Sequence, residues 1–163
     1  MGRFWKVAPV FLMLATACGG DGRGLQRAGT CSAPLATVPI CVEVDVAVDA
    51  VETVAGTEAL RQAAAGEVCV ETGEAYDSET GSLSVELLDC PELLAANGRI
   101  GRCQVPERRD QTFIYEGQGI HFDFVASVSV YWDGTGTLED AQDGARSICQ
   151  AAPLKGMWSA ETP

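Results

Sequence analysis

Alternation of apolar and polar residues is clearest in two stretches of the chain, and both predict half-buried strands. Every second residue from position 42 to 48 is valine, with Glu43, Asp45 and Ala47 between them. A longer apolar face comprises Phe122, Phe124, Ala126, Val128, Val130 and Trp132. The preceding Gly117-Gln118-Gly119 predicts a hairpin that joins 112–116 to 120–132.

Helical signals are strongest in two stretches. Thr57 is a suitable N-cap for the Ala-rich stretch 58–65, and Gly66 is placed as the C-cap that ends this helix. Thr137 precedes a second stretch in which apolar residues recur at helical spacing. Asp140, three residues after Thr137, completes a variant of the capping box.

Shorter signals predict the remaining elements. A Cys-Pro pair opens a third short helix over 90–98, because proline is favoured at the first helical position. We also expect a strand through Cys69, an exposed acidic loop over 71–84, a strand over 100–105, a turn over 106–110 and a segment at 156–158 that folds back. These elements predict an α+β domain, with a small and mostly antiparallel sheet of four or five strands and two or three short helices.

The N-terminal stretch is typical of an export signal. Arg3 and Lys6 precede nine apolar residues over 7–15, whereas a membrane-spanning helix needs about 20. Ala15-Thr16-Ala17-Cys18 resembles the bacterial lipobox, in which the cysteine is diacylated and becomes the new N-terminus. Its first position usually carries leucine, so the alternative is a secretory signal cut near Ala17 that releases a soluble protein.

Four segments follow from this prediction. Residues 1–17 are the signal peptide, 18–30 the lipidated Cys18 with a flexible Gly-rich tether, 31–158 the folded domain and 159–163 a tail. Cleavage before Cys18 leaves 146 of the 163 residues, which is the size of one domain.

The cysteine count favours disulfides. Setting Cys18 aside leaves six of the seven cysteines: Cys31, Cys41, Cys69, Cys90, Cys103 and Cys149. An even number in an exported chain predicts three disulfides, and no close Cys-x-x-Cys pair suggests zinc. Six cysteines allow 15 pairings. Our hypothesis is Cys31–Cys41, Cys69–Cys149 and Cys90–Cys103.

Several spaced motifs within 41–158 resemble one group of bacterial proteins. They are Cys90-Pro91, Ile100-Gly101-Arg102-Cys103, Val130-Tyr131-Trp132 and Cys149 followed by Gly156-Met157-Trp158. This order is similar to that of small cysteine-rich lipoprotein domains, many of them from myxobacteria. The acidic insert over 71–84, and Tyr131-Trp132 where two tyrosines are usual, depart from their pattern. The resemblance implies an exported, disulfide-bonded lipoprotein and brings no activity with it.

The charge of the chain limits its partners. Its net charge is −12, and loss of the signal peptide removes two basic residues, giving −14. Such a chain is a poor candidate for binding nucleic acid and is repelled by anionic headgroups. Acyl chains at Cys18 would therefore be needed to hold it at a membrane. Gly19, in place of the aspartate that signals inner-membrane retention in enterobacteria, favours the outer membrane.

Four arginines stand out in so acidic a chain: Arg99, Arg102, Arg108 and Arg109. They could form an interaction patch for an acidic partner, or they could neutralise carboxylates of their own domain. We favour internal neutralisation.

Candidate chemistry is sparse. His121 and Asp123 lie on one strand face as a possible general base, but no nucleophile motif accompanies them, so a surface histidine is the favoured interpretation. The acidic loop with Glu71, Glu74, Asp77 and Glu79 could bind a divalent cation weakly, but a solvated loop is the favoured interpretation. Residues 133–140 lack the glycine and the glutamate of an EF-hand loop, so a strand-to-helix turn explains them better. We predict no metal site and no cofactor. We therefore expect a non-enzymatic structural or interaction module of the cell envelope, with an unidentified envelope protein as partner. The alternatives are a secreted or periplasmic small-ligand or cation-binding domain, and a hydrolase that uses His121.

Overall fold

In the described part of the chain, a five-stranded antiparallel sheet carries two helices. The structure is a computed structural model that describes residues 24–33, 39–49, 54–76, 90, 98–132 and 134–162. Its elements are β1 (Gln26–Ala33), β2 (Ile40–Val48), α1 (Val54–Ala75), β3 (Gly98–Tyr115), β4 (Gln118–Trp132), α2 (Leu138–Gln150) and β5 (Met157–Ala160). The strand order is β1-β2-β4-β3-β5. The predicted α+β class is confirmed in outline, with more strand than helix. Neither described helix is long and apolar enough to cross a membrane.

One row of side chains across the sheet explains how both helices are held. The register aligns Cys31 with Val42, Val42 with Val128 and Val128 with Cys103, and all four are fully buried. Because paired residues share a sheet face, both cysteines point to the same side. Cys31 bonds to Cys69 of α1, and Cys103 bonds to Cys149 of α2. The two helices therefore cover one face, α1 over β1 and β2 and α2 over β3 and β5.

Helix α1 is more than twice as long as the sequence predicts, since it continues through Gly66 to Ala75. A buried stripe, Thr57, Leu60, Ala64, Val68 and Thr72, repeats at three- and four-residue spacing and packs on the sheet. That burial outweighs the cost of about 1 kcal/mol for an interior glycine. The predicted strand through Cys69 is therefore wrong, and 71–75 of the predicted acidic loop is helical. The rest of that loop, 77–84, lies outside the described residues.

The hairpin of β3 and β4 is confirmed, with a tight turn in which Gly117 has a positive φ of 81°. The turn predicted over 106–110 is wrong, because β3 runs through it. Irregular pairing between Val105 and Arg108, and again between Arg108 and Gln111, absorbs the extra residues as bulges. Pro106 is tolerated there because proline fits at bulges and beyond the short edge strand β5.

The two ends of the domain extend beyond their predicted limits. β1 begins at Gln26 and pairs with β2, so residues 26–30 of the predicted tether belong to the sheet. Small residues such as Ala28 and Gly29 gave no periodic signal in this strand. At the other end, β5 reaches Ala160, and the amide of Glu161 donates to the carbonyl oxygen of Ile100 at 2.8 Å.

Helix α2 begins as predicted. The Thr137 hydroxyl oxygen accepts a hydrogen bond from the Asp140 amide at 3.1 Å, and the hydroxyl donates to the Asp140 carboxylate at 2.7 Å. Of the helix predicted over 90–98, the structure describes Cys90, which is helical, and Gly98, which begins β3.

Three disulfides are confirmed, but all three predicted pairings are wrong. The bonds are Cys31–Cys69, Cys41–Cys90 and Cys103–Cys149. Cys31 cannot reach Cys41, because Cys41 pairs with Ser32 and therefore points to the opposite sheet face. Cys41 instead forms a small buried cluster with Cys90 and Tyr131 on that face.

Cys69 and Cys90 are likewise kept from their predicted partners. Cys69 belongs to α1 and Cys149 to α2, and the two helices cover different strands. Cys103 points toward the helices, whereas Cys90 is bonded on the opposite face.

The spaced motif residues near the C-terminus meet at one place in the core. Trp158 pairs with Cys103 across β5 and β3, and its ring lies over Gly101, where any Cβ would overlap it. Gly156 lies against the Cys103–Cys149 bond in the same way. These glycines are required by close approach, so this part of the motif serves packing.

Candidate functional site

A groove of about 540 Å³ separates the C-terminal half of α1 from the outer half of the β3–β4 hairpin. We call it the hairpin groove. Its helix wall consists of Glu67, Val68, Val70, Glu71 and Glu74. Its strand wall consists of Gln111, Thr112, Phe113, Ile114, Phe122 and Phe124. The volume lies within the range of ligand clefts, about 300–1,000 Å³.

The strand wall has an aromatic floor. The ring centroids of Phe113 and Phe122 lie 5.5 Å apart edge to face, and those of Phe122 and Phe124 lie 5.8 Å apart in a stack. All three rings are buried. Ile114 follows Phe113 in the strand, so its side chain points to the sheet face opposite α1, where it is 70% exposed.

The helix wall is acidic. Glu67, Val70, Glu71 and Glu74 lie three or four positions apart and therefore form one stripe along the helix surface. Val70 is 38% exposed, which gives the groove an apolar group on this side as well. Glu71 accepts from Arg108 at 3.4 Å. Glu67 and Glu74 are exposed and form no ion pair with any residue that the structure describes.

Arg108 links the groove to the chain that follows α2. Its guanidinium carbon lies 5.9 Å from the centroid of Phe124, within the range of a cation–π contact. Besides its bond to Glu71, the guanidinium donates to the carbonyl oxygens of Pro153 and Leu154. Arg108 thus contacts the hairpin, α1 and this turn at the same time, and it stabilises their packing.

A tyrosine at the end of α1 is buried without a hydrogen bond. Tyr76 is 1% exposed, and its hydroxyl has no partner among the residues that the structure describes. Burial raises the pKa of this hydroxyl well above its ordinary value. Burial also raises the pKa of Tyr131, which packs beside the Cys41–Cys90 bond.

His121 has a different carboxylate partner from the one predicted. Its Nδ1 lies 2.9 Å from the Asp110 carboxylate and 3.3 Å from the Thr112 hydroxyl, and its side chain is 58% exposed. Asp123 accepts instead from the backbone amide of Asp110 at 2.8 Å. A catalytic triad needs the carboxylate and the nucleophile on opposite ring nitrogens. Here both the carboxylate and the hydroxyl meet Nδ1, so the three side chains do not form one.

The four arginines do not form one patch. Arg99 contacts Glu161 at 2.6 Å, and Arg109 contacts Glu107 at 2.8 Å. Arg108 points toward the helices, whereas the Nε of Arg102 is buried without a hydrogen-bond partner in the described chain. Three of the four therefore neutralise carboxylates of their own domain, as the favoured interpretation expects.

The candidate cation loops contribute no metal centre within the described part of the chain. No group of three or more His, Cys, Asp or Glu side chains is placed there to hold an ion. Glu71 and Glu74 belong to α1, while Asp77 and Glu79 lie outside the described residues. In the second loop Asp140 is used in capping α2.

The sequence prediction ends α1 at Gly66, before the residues of the helix wall, and therefore does not include the hairpin groove. A signal was present: continuing the helix past Gly66 places Glu67, Glu71 and Glu74 on one stripe. Cys18 lies outside the described residues, so its lipidation stays a prediction.

No family model, curated protein or solved structure matches this chain. The resemblance to cysteine-rich lipoprotein domains therefore also stays a prediction.

Proposed function

We propose that this chain is a lipid-anchored protein of the cell envelope whose disulfide-bonded domain is a non-enzymatic interaction module. One observation carries the anchor. Six of the seven cysteines pair with one another, so no cysteine of the chain is left to pair with Cys18. Cys18 also stands at the predicted cleavage site, where lipidation would use its thiol.

The compartment and the geometry support this proposal. Disulfides persist in oxidising compartments such as the periplasm and the cell surface. Eight residue steps separate Cys18 from the start of β1 at Gln26, which is at most about 28 Å of extended chain. Acyl chains on Cys18 would thus keep the sheet close to the membrane despite the repulsion between its carboxylates and anionic headgroups.

The anchor can be tested by expressing the full chain and the Cys18→Ser variant in a bacterium that processes lipoproteins. We expect the wild-type protein to partition with membranes and to carry diacylglycerol on an N-terminal cysteine, as shown by intact mass and peptide mapping. We expect the variant to lose the acyl mass. A wild-type protein cut after Ala17 without acylation would overturn the anchor.

The membrane that holds the protein is a separate question. Gly19 after the lipidated cysteine favours the outer membrane. Density-gradient separation of the two membranes, with Gly19→Asp as the matched variant, tests this assignment. An inner-membrane location of the wild-type protein would contradict it.

The groove and the surroundings of His121 support an interaction role over catalysis. The hairpin groove combines the partly exposed Val70 with the carboxylates of Glu67 and Glu74, whereas His121 lacks the arrangement of a general base with a nucleophile. We therefore expect added calcium to leave the thermal stability of the protein unchanged. We also expect His121→Ala to cause no loss of hydrolytic activity. Crosslinking of the anchored protein in intact cells should capture a defined envelope partner, and the absence of any partner would contradict the interaction role.

A further inference from the structure

We infer that the tip of the β3–β4 hairpin contacts the lipid surface in which Cys18 is anchored; this inference rests on the proposed lipid anchor. We call residues 114–120 the hairpin tip, since they end β3, form the turn and begin β4. The surface that the tip contacts is a layer of zwitterionic phospholipid headgroups. In this arrangement the acyl chains hold the domain at the membrane, and the hairpin tip sets its orientation.

Apolar side chains and a low charge distinguish the hairpin tip from the rest of the chain. Ile114 is 70% exposed on the sheet face opposite α1, and Tyr115 and Ile120 are partly exposed. Glu116 is the only charged residue of 111–120, although the whole chain has 23 acidic and 11 basic residues. Apolar groups insert just below the headgroups, and tyrosine is favoured at headgroup level. The composition of the tip therefore fits a membrane interface.

The apolar surface of the tip continues to the start of α1. Tyr115 and Ile120 point to the sheet face that α1 covers, since Ile120 pairs with the buried Phe113. Together with Ala59 and Leu60 they line a cavity of about 340 Å³. The hairpin tip therefore has apolar groups on both faces of the sheet, so an end-on approach to lipid buries both.

The fold places the tether from Cys18 and the hairpin tip at the same end of the sheet. β1 begins at Gln26, which pairs with Val46, and Val46 pairs with Phe124. From Phe124, β4 extends six residues back to Gln118 at the turn, which is about 20 Å. Because β1 runs away from the turn, the chain that leads from Cys18 enters the sheet from the side of the hairpin tip.

The length of the tether permits the contact. The eight residue steps from Cys18 to Gln26 span at most about 28 Å. This exceeds the distance of about 20 Å from the row of Gln26 to the turn. The hairpin tip can therefore reach the lipid surface while Cys18 stays anchored in it. If the opposite end of the sheet faced the membrane, the tether would have to reverse its direction before Gln26.

Quenching by brominated lipid measures the depth of the hairpin tip. The acylated protein is reconstituted in phosphatidylcholine vesicles, with a tryptophan introduced as Ile114→Trp or Met157→Trp. Met157 is the matched control, because it is 67% exposed and pairs with Gln104. Gln104 and Ile114 pair with Ser127 and Gly119 of β4, so the two probes share a sheet face but lie about 25 Å apart along it.

The two probes should respond differently to the brominated lipid. We expect the fluorescence of the tryptophan at position 114, after subtraction of the wild-type signal, to fall when brominated phosphatidylcholine replaces the ordinary lipid. The fluorescence of the tryptophan at position 157 should stay unchanged.

Hydrogen exchange of the wild-type protein tests the same contact without a substitution in the tip. The backbone amides of residues 114–120 should exchange several-fold more slowly in acylated protein on phosphatidylcholine vesicles than in Cys18→Ser protein in solution. The amides of β5 should exchange at the same rate in both samples.

The charge of the domain selects the lipid. Anionic headgroups repel the acidic domain and Glu116 at the turn, so quenching at position 114 should be weaker on vesicles that contain phosphatidylglycerol. Glu116→Lys should restore more of the quenching than Glu139→Lys, which makes the same change of charge on α2. Stronger quenching on the anionic vesicles would contradict the zwitterionic surface, and equal restoration by the two variants would contradict contact through the tip.

The outcomes separate this inference from the proposed function. Protein that carries no acyl mass and stays out of the vesicles contradicts the lipid anchor and, with it, the inference. Acylated protein in which positions 114 and 157 are quenched equally, or in which neither is quenched, overturns the tip contact alone. An envelope protein crosslinked in intact cells from p-benzoylphenylalanine at position 114 would likewise assign the tip to a protein partner and overturn the lipid contact.

Discussion

Gly156 lies against the disulfide between Cys103 and Cys149, and we expect Gly156→Ala to destabilise the domain. A Cβ at this position would overlap the Sγ atom of Cys103, and it would lie 2.9 Å from the Sγ atom of Cys149 and 3.1 Å from the carbonyl oxygen of Gln104. Gly156 is not in the left-handed region of backbone conformation, so the overlap alone sets the cost.

The loss of stability in Gly156→Ala can be calculated from the known costs of overpacking a core and of removing a disulfide. Forcing an extra methyl group into a well-packed core costs about 1–3 kcal/mol. Removing the disulfide with Cys103→Ala/Cys149→Ala should cost about 4 kcal/mol, because the bond spans 46 positions of the chain. Once both sulfur atoms are gone, the new methyl group has room. Gly156→Ala should therefore cost little in the disulfide-free background, and the triple variant should be more stable than the sum predicts by about 1–3 kcal/mol.

Urea denaturation of the four proteins in this cycle measures the free energies of unfolding. The effect of alanine on the unfolded chain is the same in both backgrounds and cancels in the cycle. Gly144→Ala is the matched control, since a Cβ there has no atom within 4 Å and lies in α2. It should stabilise by up to about 1 kcal/mol in either background. Additivity of Gly156→Ala and the disulfide removal, within about 0.5 kcal/mol, would refute the reasoning.

Two further variants test buried and capping interactions. Tyr76→Phe removes a buried hydroxyl that has no hydrogen-bond partner among the described residues, so the free energy of unfolding at pH 7 should rise by about 1 kcal/mol in urea titrations. Because burial raises the folded-state pKa of Tyr76, the unfolded chain loses this proton first, and stability should fall above about pH 10 by about 1.4 kcal/mol per pH unit. Tyr76→Phe should flatten that fall, and an unchanged slope would assign it to other groups. Thr137→Ala removes the N-cap of α2 and should cost about 1 kcal/mol in the same titration, with Thr137→Ser, which keeps the capping hydroxyl, as the control.

Much of the sheet could be predicted because its central strands have one buried face. The valines of β2 and the apolar residues of β4 repeat every second position, and their register aligns the two sets. β1 could not be predicted in this way, since its buried residues include Ala28 and Gly29, whose side chains carry little hydrophobic signal. The predicted α1 is too short because Gly66 resembles a C-cap locally, whereas the helix continues through the tertiary packing of Val68 and Thr72.

The disulfides show a different limit. Their number follows from the parity of the cysteine count, but their pairing depends on which sheet face each strand cysteine occupies. Ser32 pairs with Cys41 across β1 and β2, and this register separates Cys31 from Cys41. Register is a property of two strands together, so the local sequence around either cysteine could not decide it.

The helix wall of the groove could be predicted by continuing α1 past Gly66, but its position opposite the hairpin depends on tertiary packing, in which the spaced motif residues take no part. Gly101, Cys103, Cys149, Gly156 and Trp158 meet in the core, where they join β3, β5 and α2. The groove instead uses the outer half of the hairpin and the C-terminal half of α1, which Cys31–Cys69 holds to the sheet. Because the two sets of residues do not overlap, exposed groove side chains can change without disturbing the core. Proteins that share the motif should therefore share this fold, even where the side chains of the groove differ.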